Sequence, residues 1–220
     1  MPKEIGDEIM ESYYRERATV YDEFYRVDRR RDGLIALGSW VVEQVRGRTV
    51  LEVAAGTGYW TELAATTARA VTATDCNVET LAVAAQRHLG KHVTLAVADA
   101  YQLPQFLGTF DVGMAMLWLS HVRKERRSEF LSHFTGRLTP GATILMLDQF
   151  YVEGVSSPIS RRDEHDNLYT VRTLPSGATF EIIKNYPTEE ELIEILSDVC
   201  EDVTVTRVDE FWSVSARVRL

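Results

Sequence analysis

The stretch Thr49-Val50-Leu51-Glu52-Val53-Ala54-Ala55-Gly56-Thr57-Gly58 decides the fold of this 220-residue chain. Its first five residues are an apolar, β-branched run of strand length, and its last five are small enough to turn sharply. The residues that follow, from Tyr59 to about Thr67, read as a helix. A strand that enters a helix through a glycine-containing turn exposes the helix's unpaired N–H groups and lets a ligand approach the backbone. Such a turn alone is weakly specific. The dinucleotide pattern GxGxxG needs a third glycine at position 61, which is Thr61.

Outward from this turn the alternation repeats. Strands are expected at Val71 to Thr74, Val93 to Val97, Phe110 to Met116 and Thr143 to Asp148. Helices are expected at Val78 to His88 and from about Lys124 to Leu138, the last closed by Thr139-Pro140-Gly141. Strands alternating with helices build a mostly parallel, doubly wound α/β sheet. Before it, residues about 3 to 46 read as two helices, the first carrying Tyr14, Tyr21 and Tyr25. Beyond it, Leu168 to Leu174 and Thr179 to Lys184 flank Pro175-Ser176-Gly177 as a β-hairpin. Thr188 and Glu191 form a capping box ahead of a helix. Val203 to Val208 and Phe211 to Leu220 then alternate with period 2 and are expected to pair antiparallel.

Composition narrows the function. A net charge of -9 opposes binding to a phosphate backbone, and no apolar run reaches the ~18 residues of a membrane span. The N-terminus lacks the apolar core of a signal peptide, so a cytoplasmic location is expected. Cys76 and Cys200 stand far apart, and His88 and His92 have no acid or cysteine to complete a site, so no metal centre is expected. The expected partner is a small molecule. Oligomeric state is not legible.

Three acids surround the turn. Glu52 lies within the first strand, Asp75 ends the second, and Asp99 ends the third. Asp75 stands where a carboxylate can accept both hydroxyl protons of a ribose. An anionic crevice suits a cofactor bearing a sulfonium and an ammonium better than a pyrophosphate. That argument favours S-adenosylmethionine (SAM) over a nicotinamide dinucleotide.

With these residues the chain resembles the class I SAM-dependent methyltransferases over nearly its full length. The matching segments are Val50 to Gly58, Ala73-Thr74-Asp75, Val97-Ala98-Asp99-Ala100, Phe110 to Gly113 and Leu138-Thr139-Pro140-Gly141. The resemblance implies a Rossmann-like, seven-stranded, mostly parallel sheet with an antiparallel last strand. It also implies cofactor contacts from Glu52, Ala54, Gly56, Gly58, Trp60, Asp75, Cys76, Asp99, Ala100 and Met116, and S-adenosylhomocysteine as product. Ala54 departs from the pattern, which has glycine there; alanine disfavours a positive φ, so a shifted cofactor is expected.

A narrower resemblance is to small-molecule O-methyltransferases that esterify phosphonates in dehydrophos biosynthesis. It rests on Tyr13 to Ala18 with Tyr21-Asp22, Gly58 to Thr61, Trp118 to Val122, and the hairpin's end at Phe180 to Lys184. It implies a helical cap (1–46) over the cofactor, with Tyr14 and Arg17 near its methionine end, and a substrate-side insertion (151–186) within one domain of residues 1–220. It further implies that Arg172 and Lys184 hold the acceptor's anion. Tyr14 and Tyr21 can instead simply pack the cap, and the two cations can instead be exposed strand residues. Tyr25 is a candidate for the acceptor wall, and 161–166 reads as a charged, solvated loop.

Methyl transfer to an ionised carboxylate or phosphonate needs no base, whereas a phenol, hydroxyl or amine does. His121 is the candidate base or orienting group, or else a plain loop histidine. The expected activity is O-methylation of a small organic acid. Methylation of a neutral phenol or amine, and SAM binding without catalysis, are the alternatives.

Overall fold

The computed structural model describes residues 5–105 and 108–219. The expected helix start near residue 3 and strand end at Leu220 lie outside the described residues. Thr49–Val53 forms β1, at the centre of a seven-stranded sheet. Its neighbours are β2 (Ala70–Asp75) and β4 (Phe110–Met116), both parallel to it. Outside these lie β3 (Val93–Val97) and β5 (Leu138–Gln149), also parallel. The small sheet strands β6 (Ile159–Arg162), β7 (Leu168–Thr173) and β8 (Thr179–Ile183) come next in the chain. Then β9 (Cys200–Val208) and β10 (Phe211–Val218) return to the large sheet, where β10 runs antiparallel to both β5 and β9. The order is β3-β2-β1-β4-β5-β10-β9. Connections leave β1 in one direction and reach β4 in the other, so the crevice opens between these two strands at their carboxyl ends.

Period-2 alternation buries both faces. Leu51, Val53, Ile144 and Met146 belong to one apolar cluster with Phe130, Phe134, Leu192 and Trp212. Val50, Leu145 and Leu147 belong to the other, with Leu34, Leu37, Val41 and Trp60. Helices α1 (Ile5–Arg17), α2 (Arg31–Gln44), α3 (Tyr59–Ala65), α4 (Val78–Ala84), α5 (Arg127–Thr135) and α6 (Glu189–Ser197) supply the covering layers. The capping box of Thr188 and Glu191 opens α6 as expected.

Several local expectations are corrected. The first helix ends at Arg17, and Ala18–Arg26 continues as 3-10 turns, so Tyr21 and Tyr25 are not on α1. The tighter winding lets Asp22 reach the glycine turn, where it accepts from Thr57 Oγ1 at 2.6 Å and pairs with Arg87. Helix α5 stops at Thr135, well before Thr139-Pro140-Gly141, which instead lies inside β5 beside a register shift against β4. Proline is tolerated there because the irregular ladder does not need its missing N–H. The expected charged loop at 161–166 begins as β6, paired antiparallel with β7, which makes the hairpin a three-stranded sheet. Met10 and Tyr13 of α1 pack on Leu174 and Ile182, joining the helical cap to this small sheet.

Candidate active site

Ala54 takes φ +51, Gly56 φ +56 and Gly58 φ +75, so the chain doubles back twice within five residues before α3 begins. The expectation that Ala54 avoids a positive φ is overturned. The turn follows β1 and must meet α3, and that closure outweighs a left-handed strain of ~1 kcal/mol. The two glycines serve different ends. No atom lies within 4 Å of a Cβ built on Gly56, which leaves the backbone open to a ligand. A Cβ on Gly58 would meet Ala84 Cβ at 2.8 Å, so Gly58 permits close packing of α3 on α4 and does not line the cleft.

The first cavity, about 390 Å³, lies over this turn and the ends of β2, β3 and β4. Ala54, Gly56, Trp60, Asp75, Cys76, Asp99, Ala100 and Met116 all line it. The Asp75 carboxylate is aimed by two backbone donors, Gly56 N to Oδ2 and Asn77 N to Oδ1, each at 2.8 Å. Each oxygen keeps a lone pair for a further donor. Asp99 accepts from Tyr101 N at 2.8 Å and is similarly oriented. Trp60 and Trp118 line the same cleft, and their indole N–H groups are buried without a hydrogen-bond partner. Orphan donors of this kind are costly unless a ligand oxygen or nitrogen meets them. Open backbone, paired carboxylates and orphan donors fit a nucleoside joined to an amino acid.

Glu52 is 1% exposed and does not reach the cleft. It accepts from Thr61 Oγ1 at 2.6 Å, and burial pushes its carboxyl up to about 8. Of the acids expected around the cofactor, it alone faces away, because β1 alternates and Glu52 points under α3.

The second cavity, about 300 Å³, lies between the cap and the small sheet. Tyr14, Tyr21, Leu117 and His121 line both cavities and form their boundary. His121 Nδ1 meets the Ile183 carbonyl at 2.6 Å, which can only accept, so the proton sits on Nδ1. Nε2 therefore accepts from the Tyr14 hydroxyl at 2.7 Å. Burial, with Lys184 nearby, pushes this imidazole down to about 3. Burial likewise holds the Tyr14 phenol well above its ordinary value. The pair is neutral at pH 7.

Cations line the second cavity, among them Arg17, Arg30, Arg172 and Lys184. Lys184, just past β8, is 4% exposed and donates to Asp148 Oδ1 at 2.6 Å and Ser120 Oγ at 2.9 Å. The reading of two exposed strand cations is therefore overturned: β8 turns inward at its end and buries the ammonium. Asp148, the last acid of an apolar strand, is fully buried; burial would raise its carboxyl, but Lys184 and the donors around it hold it low. Arg172 donates to Ser157. Arg17, expected at the cofactor, lines this second cavity, whereas Tyr25, expected on the acceptor wall, lines the first and stacks on Tyr59 at 3.7 Å. The end of α1 at Arg17 exchanges their sides.

The sequence reading missed Asp148, Ser120, Arg30 and Leu117. An acid closing an otherwise apolar strand, as Asp75 also does, was the available signal for Asp148. Leu117 holds φ +57 at the boundary of the cavities, which nothing in its sequence announces.

A cleft suited to a nucleoside and a cavity lined by cations thus share a wall made by Tyr14, Tyr21, Leu117 and His121. Residues 50–141 match the methyltransferase domain family. Among solved structures, the complex of DhpI with S-adenosylhomocysteine is similar at 28% identity over 99% of each chain, with a TM-score of 0.81. A DhpI–SAM–HEP complex is similar at 28% identity, covering 98% of this chain and all of that one, TM-score 0.79. The Burkholderia thailandensis 1,6-didemethyltoxoflavin N1-methyltransferase shares the fold at 16% identity, covering 100% and 93% of the two chains, TM-score 0.64. No curated protein sequence matches. Residues 50–141 thus carry a methyltransferase domain, the whole chain has the fold of the class I SAM-dependent enzymes, and S-adenosylmethionine is the cofactor. Among the described residues no helix is long and apolar enough to cross a membrane, and no cluster of side chains is suited to hold a metal ion.

Proposed function

We propose that this methyltransferase transfers its methyl group to an oxygen of a small organic acid, a phosphonate or a carboxylate. The observation that carries the reading is His121. Its Nε2 is occupied by Tyr14 and its basicity is far below that of an ordinary imidazole, so it is mismatched to removing a proton from a phenol or amine. An acid arrives already ionised at neutral pH and requires no such step. The cationic lining of the second cavity complements it. The likeness to DhpI, in complexes with SAM and HEP, supports the same direction.

Asp75 would hold the cofactor's ribose hydroxyls, Asp99 and Ala100 its base, and the Trp60 indole N–H its amino-acid end. The cofactor supplies a methyl carbon activated by a sulfonium. Arg172 offers N–H donors to the acceptor's oxygens, and Lys184 has one ammonium proton left after Asp148 and Ser120. Tyr14 and His121 form the wall against which the attacking oxygen is aligned, and His121 orients rather than deprotonates. Tyr21 and Tyr25 roof the cleft and exclude water, which favours a reaction that brings opposite charges together. Release of S-adenosylhomocysteine from a panel of small phosphonates, carboxylates, phenols and amines tests this. Turnover confined to the acids is expected; turnover confined to neutral acceptors would sink the reading.

A further inference from the structure

Four cations line the second cavity, and two of them are already neutralised. Lys184 meets Asp148 at 2.6 Å and Arg30 meets Glu210 at 2.6 Å. Arg17 and Arg172 are different: neither has a carboxylate partner among the described residues. Both are partly buried, and Arg172 Nε is buried with no partner at all. Arg17 donates to the Tyr13 hydroxyl at 2.7 Å and lies 4.9 Å from the centre of the Tyr21 ring. That phenol and ring hold the guanidinium in place without cancelling its charge. Glu23, the acid at this cavity, is exposed at its edge.

Two uncompensated guanidiniums around one partly buried space repel each other, and the repulsion is relieved when an anion lies between them. Both sit close enough to Tyr14 to act on its phenol, from α1 on one side and β7 on the other. We infer that Arg17 is a specificity-determining residue of the acceptor site, which with Arg172 grips the acceptor's anionic group. Lys184, neutralised by Asp148, adds to that grip only the one ammonium proton left after Asp148 and Ser120. The inference rests on the acid-acceptor reading above and reassigns Arg17 from the cofactor's side to the acceptor's.

The test is calorimetric titration of inorganic phosphate and of methylphosphonate into the full chain saturated with S-adenosylhomocysteine. Arg17→Met keeps an unbranched side chain of similar length and removes the guanidinium that lies over Tyr21; Arg17→Lys keeps the charge and loses the fork. Arg17→Met and Arg172→Met are each expected to weaken anion binding by about tenfold or more, with Arg17→Lys recovering part of it. S-adenosylhomocysteine affinity should stay within about twofold in all three, which a general loss of packing would not allow. Equal anion affinity in Arg17→Met and the unaltered protein overturns the inference, as does a loss confined to S-adenosylhomocysteine. Absence of anion binding to the unaltered protein overturns it as well. A methyl-transfer assay run alongside separates the two failures. Acid turnover with an unchanged KM in Arg17→Met removes the inference alone; turnover of neutral acceptors only removes the acid reading itself.

Discussion

The two cavities on either side of Tyr14 and His121 are built from different materials. The cleft over the glycine turn is made largely by backbone: loops at the ends of β1 to β4, the left-handed Gly56, and carboxylates pinned by main-chain amides. The second cavity, the proposed acceptor site, is made by long side chains, contributed by the cap, β5 and the small sheet, and tied to one another by charge. A cleft built from main chain is fixed by the fold and serves any member that uses the same cofactor. A cavity built from side chains can change its occupant with a few substitutions. The difference teaches that substitutions in the two regions should fail differently: in the first through cofactor affinity, in the second through stability and acceptor recognition.

The sharpest way to break this contrast is Lys184→Met. It leaves Asp148 charged, fully buried and unpaired, at an expected cost of ~3–5 kcal/mol in denaturant unfolding. Adding Asp148→Leu should recover most of that loss; if the single variant were as stable as the unaltered protein, the pair would not be holding the cavity together. Asp75→Ala should come next, weakening cofactor binding by about a hundredfold or more by calorimetry. Unchanged affinity would show that the cleft is not organised by this carboxylate.

Glu52→Gln sharpens the contrast from the opposite sign. The folded carboxyl is raised from 4.5 to about 8, so any favourable balance is fully present below the unfolded value and lost as pH climbs through the folded one. The amide cannot ionise and can still accept from Thr61. The variant should match the unaltered protein at acid pH and gain ~2 kcal/mol at mildly alkaline pH. A parallel pair of stability–pH curves would contradict it. The smallest effect is expected at Ala54→Gly, which relieves a left-handed alanine and should stabilise by up to ~1 kcal/mol, visible as a small rise in Tm.

The same contrast decides what was legible in the sequence. Strand–helix alternation, the glycine turn and the acids ending β2 and β3 are local patterns, and they located the sheet and pointed to the turn over which the first cavity lies. The second cavity depends on contacts across long separations. Lys184 and Asp148 are 36 residues apart, and Tyr14 and His121 are 107 apart, so no spacing rule reports either pair. The sides of Arg17 and Tyr25 were exchanged because Arg-Ala-Thr-Val-Tyr-Asp contains no glycine or proline to announce that α1 ends at Arg17. Strand β6 was hidden because Ile159-Ser-Arg-Arg162 is exposed along its whole length and carries no alternation. The strain at Ala54 was invisible because the closure of the turn, and not its residue type, imposes it.

The pH dependence of kcat/KM for an accepted carboxylic acid, in the unaltered protein and in His121→Gln, tests the central claim most directly. With no proton to remove and His121 held down to about 3, the profile should be flat from about pH 6 to 9, and the variant should lower the rate without changing its shape. A basic limb that titrates within that range and vanishes in His121→Gln would contradict the account and make His121 the base for a neutral acceptor.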